Sequence, residues 1–233
     1  MKSGFILTLS LLFFFMLTIS SQQSMAEDLT ARMVMEKVED RDDGDNMTAD
    51  MNMLLIDKHE NERKRNLRVF SKDKNKDTVL RLMFFTYPPT VEGTGFLTID
   101  YEKRDDKMWL YLPALKKTKK VAGKSQNDSF MGSDLNYSDM TSMNLDDYEF
   151  SFYKKKEMEV RGKKVWVINA TPKSEEIIEE TGYEKSLLLV RQDNFFIVRA
   201  IKWEEKNNYK KYFDYTTLKL IDDIWVGTEL HVN

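Results

Sequence analysis

The chain has 233 residues but contains no cysteine, only two histidines and only four prolines. The lack of cysteine excludes disulfides, thiol catalysis, a cysteine-based zinc site and a lipid anchor on cysteine. His59 and His231 are isolated, and Arg63 stands where a zinc-protease helix would need its second histidine. The sequence therefore predicts neither a metal site nor a cofactor.

Motifs of the common enzyme classes are also missing. The chain has no G-x-S-x-G nucleophile elbow, and the GTG at 93–95 lacks the third glycine of a nucleotide loop. Acidic pairs such as Glu175-Glu176 and Asp146-Asp147 flank predicted turns, where solvated charge is the ordinary interpretation. We predict that the protein is not an enzyme. The open alternative is a hydrolase whose two carboxylates come from distant strands.

Neither sign of charge dominates the chain. The formal net charge is −3, so the basic excess that displaces counterions from nucleic acid is absent. Nucleic acid is therefore not an expected partner. Hydrophobic residues at 41% and charged residues at 32% are typical of a globular chain that is long enough to build its own core.

The only long apolar run stands at the N-terminus. Lys2 precedes an apolar stretch over Phe5–Ile19, and Ser24-Met25-Ala26 supplies the small residues of a cleavage site before Glu27. This pattern predicts a secretory signal peptide over residues 1–26, cleaved after about Ala26. No later segment reaches the ~20 apolar residues of a spanning helix, so no transmembrane segment is expected after cleavage. A periplasmic protein without a lipid anchor is expected.

After residue 26 the hydrophobic period is mostly two. Only Leu29–Asp40 has apolar side chains at helical spacing, with Asp28 as its expected N-cap. Alternation beyond it predicts about eleven strands in antiparallel meander order within a single domain, residues 27–233. The pattern is still strand-like at 229–233, which leaves a truncated C-terminus as an open alternative.

Two segments interrupt the alternation, the lysine-rich 116–124 and the stretch 128–144. Together they predict a long connection, and long ordered loops often carry function. The lysines of the first segment could contact anionic lipid or an acidic partner, although a solvated turn is the ordinary interpretation. They are Lys116, Lys117, Lys119, Lys120 and Lys124.

Four blocks of sequence carry a resemblance to a known family. They are RVFSK at 68–72, GTGFLTIDY at 93–101, WLYLPALKK at 109–117 and SFMGSDLNYSDM at 129–140. On these blocks the chain resembles the exported outer-membrane lipoprotein-sorting proteins of the LolA-like group. The resemblance implies a mainly β fold, a strongly curved antiparallel half-barrel sheet of about eleven strands. An N-terminal helix and a loop or helix plug would cover its concave face and enclose an apolar cavity for acyl chains.

The expected function is then a periplasmic carrier that binds acyl chains of a lipoprotein or envelope lipid and shuttles it toward the outer membrane. The missing lipidated cysteine favours a shuttle over an anchored receptor. An inner-membrane exporter of the resistance-nodulation-division type is the partner implied by analogy. The alternative is a periplasmic protein-binding regulator, or an accessory subunit of such an exporter, that uses the same concave face.

The expected cavity lining is one alternation set, with Arg81 pointing away from it. A shift of one residue would exchange the two faces of a strand. A carrier should have a deep, dry cavity without charges, a regulator a shallow groove, and a hydrolase two close carboxylates with a raised pKa. The lining residues are Met51, Met53, Leu55, Leu80, Leu82, Phe84, Leu97, Ile99, Leu110, Phe150 and Phe152.

Overall fold

The computed structural model describes residues 28–102, 104–206 and 209–233, so the predicted signal peptide lies outside the described residues. In the described chain, twelve strands form two six-stranded antiparallel sheets, and neither closes into a barrel. Each sheet is a meander in which every strand pairs with its neighbours in sequence. The prediction of a mainly β, antiparallel meander is confirmed.

We call the two units the N-terminal sheet and the C-terminal sheet. The N-terminal sheet contains β1 Asn46–Ile56, β2 Glu62–Asn75, β3 Thr78–Tyr87, β4 Gly95–Tyr101, β5 Lys107–Leu112 and β6 Lys117–Val121. The C-terminal sheet contains β7 Tyr148–Val160, β8 Lys163–Pro172, β9 Tyr183–Arg191, β10 Ile197–Glu204, β11 Lys210–Ile221 and β12 Ile224–Val232.

The strand that the sequence did not predict is β6, which lies inside the lysine-rich segment. It pairs with β5 and forms one edge of the N-terminal sheet. Lysines on an edge strand oppose edge-to-edge pairing with another chain, because pairing would bury their charge. The alternation signal was weak there because four of the five side chains of β6 are exposed.

Two α-helices accompany the sheets in the described chain. Helix α1 spans Ala31–Glu39 and confirms the predicted helix, but its N-cap is Thr30 rather than Asp28. The Thr30 hydroxyl accepts a hydrogen bond from Met33 N at 3.2 Å. Helix α2 spans Glu175–Thr181, where the sequence predicted only a turn. Glutamates in its first turn suit the positive end of the helix dipole.

The segment 123–147 lies between the sheets, and we call it the plug. It consists of short 3-10 turns at Gly123–Asn127, Phe130–Gly132, Tyr137–Met140 and Leu145–Asp147. Phe130 and Tyr137 pack into the core of the N-terminal sheet. Leu145 packs with α1 against the C-terminal sheet. We therefore call the sheet faces toward the plug and α1 inner, and the opposite faces outer.

The buried hydrophobic residues form three clusters, each on one face of one sheet. The inner face of the N-terminal sheet buries Leu67, Val69, Met83, Phe85, Phe96, Met108, Leu110 and Val121. The inner face of the C-terminal sheet buries Ile168, Ala170, Leu188, Val190 and Ala200 under α1. The outer face of the C-terminal sheet buries a third cluster, because alternate residues of the same strands point the opposite way. This cluster contains Val160, Val165, Val167, Leu189, Phe196 and Val198.

Candidate functional site

The first candidate site is the apolar inner face of the N-terminal sheet, which the plug occupies. Phe130 is only 1% exposed. Its ring centroid lies 5.3 Å from that of Phe96, 6.1 Å from that of Phe85 and 5.5 Å from that of Tyr137. Aromatic pairs at such separations add to the stabilisation from buried area alone. The apolar interior is therefore filled by side chains of the plug itself.

A buried polar network fastens the plug to the C-terminal sheet. Asp139 forms an ion pair with Lys202 at 2.7 Å and accepts a hydrogen bond from the Tyr183 hydroxyl at 2.8 Å. Lys211 Nζ donates to Asn136 Oδ1 at 3.2 Å and to the Tyr183 hydroxyl at 3.1 Å. Burial, followed by the nearby Asp139 carboxylate, raises the pKa of Tyr183. The phenol therefore stays protonated and keeps its donor.

The contacts of the plug with the N-terminal sheet are mainly apolar. Arg65 Nη1 donates to the Met131 carbonyl at 2.6 Å, and Ser142 N donates to Asp100 Oδ2 at 3.2 Å. Met131, Leu135 and other plug side chains otherwise pack against the sheet as partly buried hydrophobic residues. The plug is thus held differently on its two sides.

The second candidate site is a cleft of about 620 Å³ beside the plug. Its walls include the start of β3, the end of β4, parts of the plug and α2. Lys76, Arg104, Lys173 and Lys202 supply the positive charge of the lining. Carboxylates outnumber them: Glu39, Asp77, Asp100, Glu102, Asp105, Asp106, Asp146, Asp147, Glu176 and Glu180. This cleft is not the deep, uncharged cavity that the carrier hypothesis predicts.

Asp100, Asp106, Asp147 and Glu180 are the buried or partly buried carboxylates of the cleft, and burial raises the pKa of the last three. Burial raises the pKa of Asp106 to about 6, although the Tyr101 N–H at 2.9 Å opposes the shift. Burial and the neighbouring Asp146 carboxylate likewise raise the pKa of Asp147. Asp100 lies in the same cleft, is 6% exposed and forms an ion pair with Arg81. The described part of the cleft therefore holds negative charge that its cations do not fully balance.

These carboxylates match one feature of the hydrolase alternative, a titratable acid with a raised pKa in a cleft. Asp100, however, is held by Arg81 and by Ser142 N, so its pairing accounts for its burial. Among the residues that the structure describes, no group of three or more histidines or carboxylates is placed to hold a metal ion.

The predicted lining residues do not form one surface. Met51, Met53, Leu55 and Leu110 lie on the inner face of the N-terminal sheet, as the strand register places Met51 opposite Leu67 and Leu110 opposite Phe96. Phe150 and Phe152 lie on the inner face of the C-terminal sheet. The other five lie on the outer face of the N-terminal sheet: Leu80, Leu82, Phe84, Leu97 and Ile99.

Arg81 points away from Leu80, Leu82 and Phe84, as predicted, but it points toward the plug rather than toward solvent. Arg81 lies on the inner face, because it is two residues from Met83 and therefore on the same side of β3 as Met83 and Phe85. It forms its ion pair with Asp100 beside the plug. Alternation identifies the residues that share a face but not the face that is covered. The strand residues Phe85 and Phe96 were missed for this reason, whereas Phe130 lies in the plug, where there is no strand alternation. Phe96 and Phe130 nevertheless stand inside two of the blocks that carry the family resemblance.

The five lysines of residues 116–124 do not form one surface cluster. Lys117 and Lys119 share the inner-face parity of β6, and Lys120 lies opposite Trp109 on the outer face. Lys116 precedes the strand with a left-handed backbone, and Lys124 pairs with Glu179 of α2 at 2.7 Å.

Comparison with known proteins identifies the fold. A family model described as "Uncharacterized protein" matches residues 77–233, more than half of the chain. The chain belongs to this family. A Vibrio parahaemolyticus structure described as an outer membrane lipoprotein-sorting protein domain is 25% identical, with a TM-score of 0.78. The match covers 87% of this chain and 84% of that one.

Two further solved structures support the same LolA-like fold. A DUF1329 family protein from Desulfovibrio piger is 27% identical, with a TM-score of 0.76 over 87% of this chain and 84% of that chain. A LolA superfamily protein from Nitrosomonas europaea is 18% identical, with a TM-score of 0.62 over 88% and 85%. Curated protein sequences give no match. In the described part of this LolA-like chain, no helix is long and apolar enough to span a membrane.

Proposed function

We propose that the protein is a periplasmic carrier whose acyl-chain site is the inner face of the N-terminal sheet. The observation that supports this proposal is the self-occupied interior, in which Phe130 and Tyr137 of the plug fill an apolar cluster. The carrier-type fold shared with a lipoprotein-sorting domain supports it as well. In this proposal the plug side chains take the place of a lipid tail while the carrier is empty.

The energies of the exchange favour lipid. Burial of one large side chain contributes about 1.5–3 kcal/mol, so withdrawing Phe130 and Tyr137 costs roughly twice that amount. An acyl chain of about 14 methylenes gains about 11 kcal/mol at ~0.8 kcal/mol each. A lipid tail can therefore displace the two rings, whereas a ligand with only a few methylenes cannot.

The attachment of the plug indicates how the site would open. The ion pair of Asp139 with Lys202 keeps the plug on the C-terminal sheet, while its apolar side can separate from the N-terminal sheet. On β1 the inner face continues beyond the plug, where Met47 and Met51 are 39% and 45% exposed. We place lipid access at these methionines, whose flexible side chains adapt to varied apolar shapes.

The remaining parts of the proposal concern the route of the cargo. The protein would be exported, would lose its signal peptide and would carry a lipoprotein or envelope lipid toward the outer membrane without catalysing a reaction. An inner-membrane exporter of the resistance-nodulation-division type would be its docking partner. The competing proposal, a protein-binding regulator or exporter subunit, would use the same inner face for a peptide rather than a lipid.

Native mass spectrometry of the exported protein, purified without detergent, tests the carrier proposal. We expect a discrete adduct with the mass of a lipid or lipopeptide. A bare protein mass, under conditions that preserve a control lipid complex, would contradict the proposal and favour the regulator.

A matched pair of variants tests the location of the site. Phe130→Ala should bind a fluorescent C16 fatty acid about tenfold more tightly than the original chain, because the lipid then displaces one ring fewer. Phe84→Ala, which removes a ring from the outer face, should bind it unchanged. Equal effects in both variants would place the lipid elsewhere, and Phe130→Leu repeats the test if the alanine variant does not fold.

A further inference from the structure

The outer face of the N-terminal sheet carries a band of apolar side chains that neither the plug nor α1 covers. In the strand register, Phe70 lies opposite Leu82, Leu82 opposite Leu97, and Leu97 opposite Trp109. These four residues form one row across β2, β3, β4 and β5. The adjacent row on the same face, two residues further along each strand, adds Phe84 of β3 and Tyr111 of β5. We call these six residues the outer band.

Three of the six side chains of the outer band are exposed to solvent, and the other three are partly buried. Phe70 and Phe84 are each 38% exposed and Tyr111 is 39% exposed. Gly95 lies beneath the Phe84 ring, and a Cβ atom there would come within 3.0 Å of ring atom Cε1. The missing side chain therefore lets the ring lie against the sheet. On the outer face of the C-terminal sheet, by contrast, Val165 and Val167 are 0% exposed.

The charged outward side chains of β5 and β6 beside the outer band are lysines, whereas β1 and β2 also carry Asp50 and Glu62 on this face. Lys72 and Lys107 stand at the two ends of the row that contains Leu80 and Ile99, and Lys120 ends the Trp109 row. The outward side chains of the described residues of β3, β4, β5 and β6 include no carboxylate. Arg68 is already paired with Asp50 at 2.7 Å on β1. The partner surface that complements this arrangement is anionic.

The size of the outer band argues against a stable protein interface. Four strands about 4.8 Å apart, and rows about 7 Å apart along the strands, cover on the order of 200–300 Å². A standard protein–protein interface needs roughly 800 Å² from each partner. A small patch of aromatic and aliphatic side chains beside lysines is suited instead to a lipid headgroup region, where aromatic rings and cations are both favoured.

We propose that this outer face docks onto an anionic lipid bilayer. Trp109 and Tyr111 would lie at the level of the headgroups, and Lys72, Lys107 and Lys120 would contact their phosphates. The docking face is the opposite side of the sheet from the proposed acyl-chain site. It therefore does not depend on the carrier proposal, and either proposal can fail while the other stands.

Vesicle binding of the full exported chain tests the docking face. At low salt we expect it to sediment with vesicles of equal phosphatidylglycerol and phosphatidylcholine, but not with phosphatidylcholine alone. Leu97→Asp should abolish sedimentation, because it places a negative charge in the middle of the outer band. Changing Lys72, Lys107 and Lys120 to Gln together should weaken binding about 100-fold. Sedimentation of Leu97→Asp equal to that of the original chain would overturn the proposal.

Tryptophan fluorescence supplies a second readout that a folding defect would not imitate. Anionic vesicles should shift the emission to the blue in the original chain and in Trp203→Phe, whose changed residue lies on β10 of the C-terminal sheet. Trp109→Phe should lose the shift while it still sediments. An unchanged shift in Trp109→Phe would contradict the docking face. A dimer in solution that dissociates in Leu97→Asp would also overturn it and would assign the outer band to self-association.

Discussion

The two sheets have the same number of strands and the same meander order but differ in how many faces they bury. In the C-terminal sheet, neighbouring residues Val167 and Ile168 point in opposite directions, and both are 0% exposed. In the N-terminal sheet, neighbouring residues Phe84 and Phe85 are 38% and 1% exposed. A sheet that is buried on both faces can serve as the scaffold. A sheet with one open face and one replaceable cover is suited to binding.

The plug shows the same asymmetry in its contacts. Its polar side chains join a buried network with Lys202, Tyr183 and Lys211 of the C-terminal sheet. Removing one member of such a network leaves buried polar groups without partners, which costs more than the loss of an apolar contact. The scaffold sheet thus holds the plug through a buried polar network, whereas the binding sheet holds it mainly through apolar packing.

The two sheets should differ most in how much stability they lose when one aspartate is introduced on the outer face of each. Val167→Asp buries an unpaired carboxylate and should lower the free energy of unfolding by more than about 4 kcal/mol. Leu97→Asp, at a partly buried position on the outer face of β4, should lower it by only about 2 kcal/mol. Urea unfolding followed by circular dichroism measures both. Similar losses would show that the outer face of the N-terminal sheet is covered after all.

Two neighbouring phenylalanines compare the two faces within one strand. Phe85→Ala should lower the free energy of unfolding by about 4 kcal/mol, because it leaves a cavity against Phe130. Phe84→Ala removes a half-exposed ring and should cost about 1 kcal/mol. Thermal unfolding should separate the two variants clearly. A reversed order would mean that the inner and outer faces of β3 have been exchanged.

The smallest expected effect concerns two carboxylates whose pKa values are shifted in opposite directions. The pKa of Asp106 is about 6 in the folded chain against an ordinary value of 3.8, so the folded state holds its proton more tightly. Stability is therefore lost as the pH rises from about 4 to about 6, and the penalty persists above that range. Asp106→Asn should be about 2 kcal/mol more stable than the original chain at pH 7 and no more stable at pH 3.5, as urea titrations would show.

Asp193, in the turn between β9 and β10, is the control for this experiment. A hydrogen bond from Arg191 lowers the pKa of Asp193, so its contribution is present at neutral pH and is lost as the pH falls through the lowered pKa. Asp193→Asn should therefore lose stability at pH 7, the opposite direction from Asp106→Asn. Shifts of the same sign in both variants would contradict this account of the two sites.

Much of the fold was predictable because it depends on local patterns. Period-two alternation located eleven of the twelve strands, and helical spacing located α1 within two residues of its ends. The exceptions have local reasons. β6 is an exposed edge strand, and α2 is a seven-residue helix among acidic residues that also suit a turn. The blocks of the family resemblance included the plug, where Phe130 and Tyr137 prove to be core residues.

The candidate sites were only partly predictable, because they depend on contacts between distant residues. The sequence by itself determined that Leu82 and Phe84 of β3 share one face and that Met83 and Phe85 share the other, but not which faces of neighbouring strands join them. Both sets are apolar, so hydrophobicity did not distinguish the inner face. Only the tertiary structure decided it, when a plug from residues 123–147 packed against one face and left the other to solvent. Alternation is a property of the strand, whereas burial is a property of whatever packs against it.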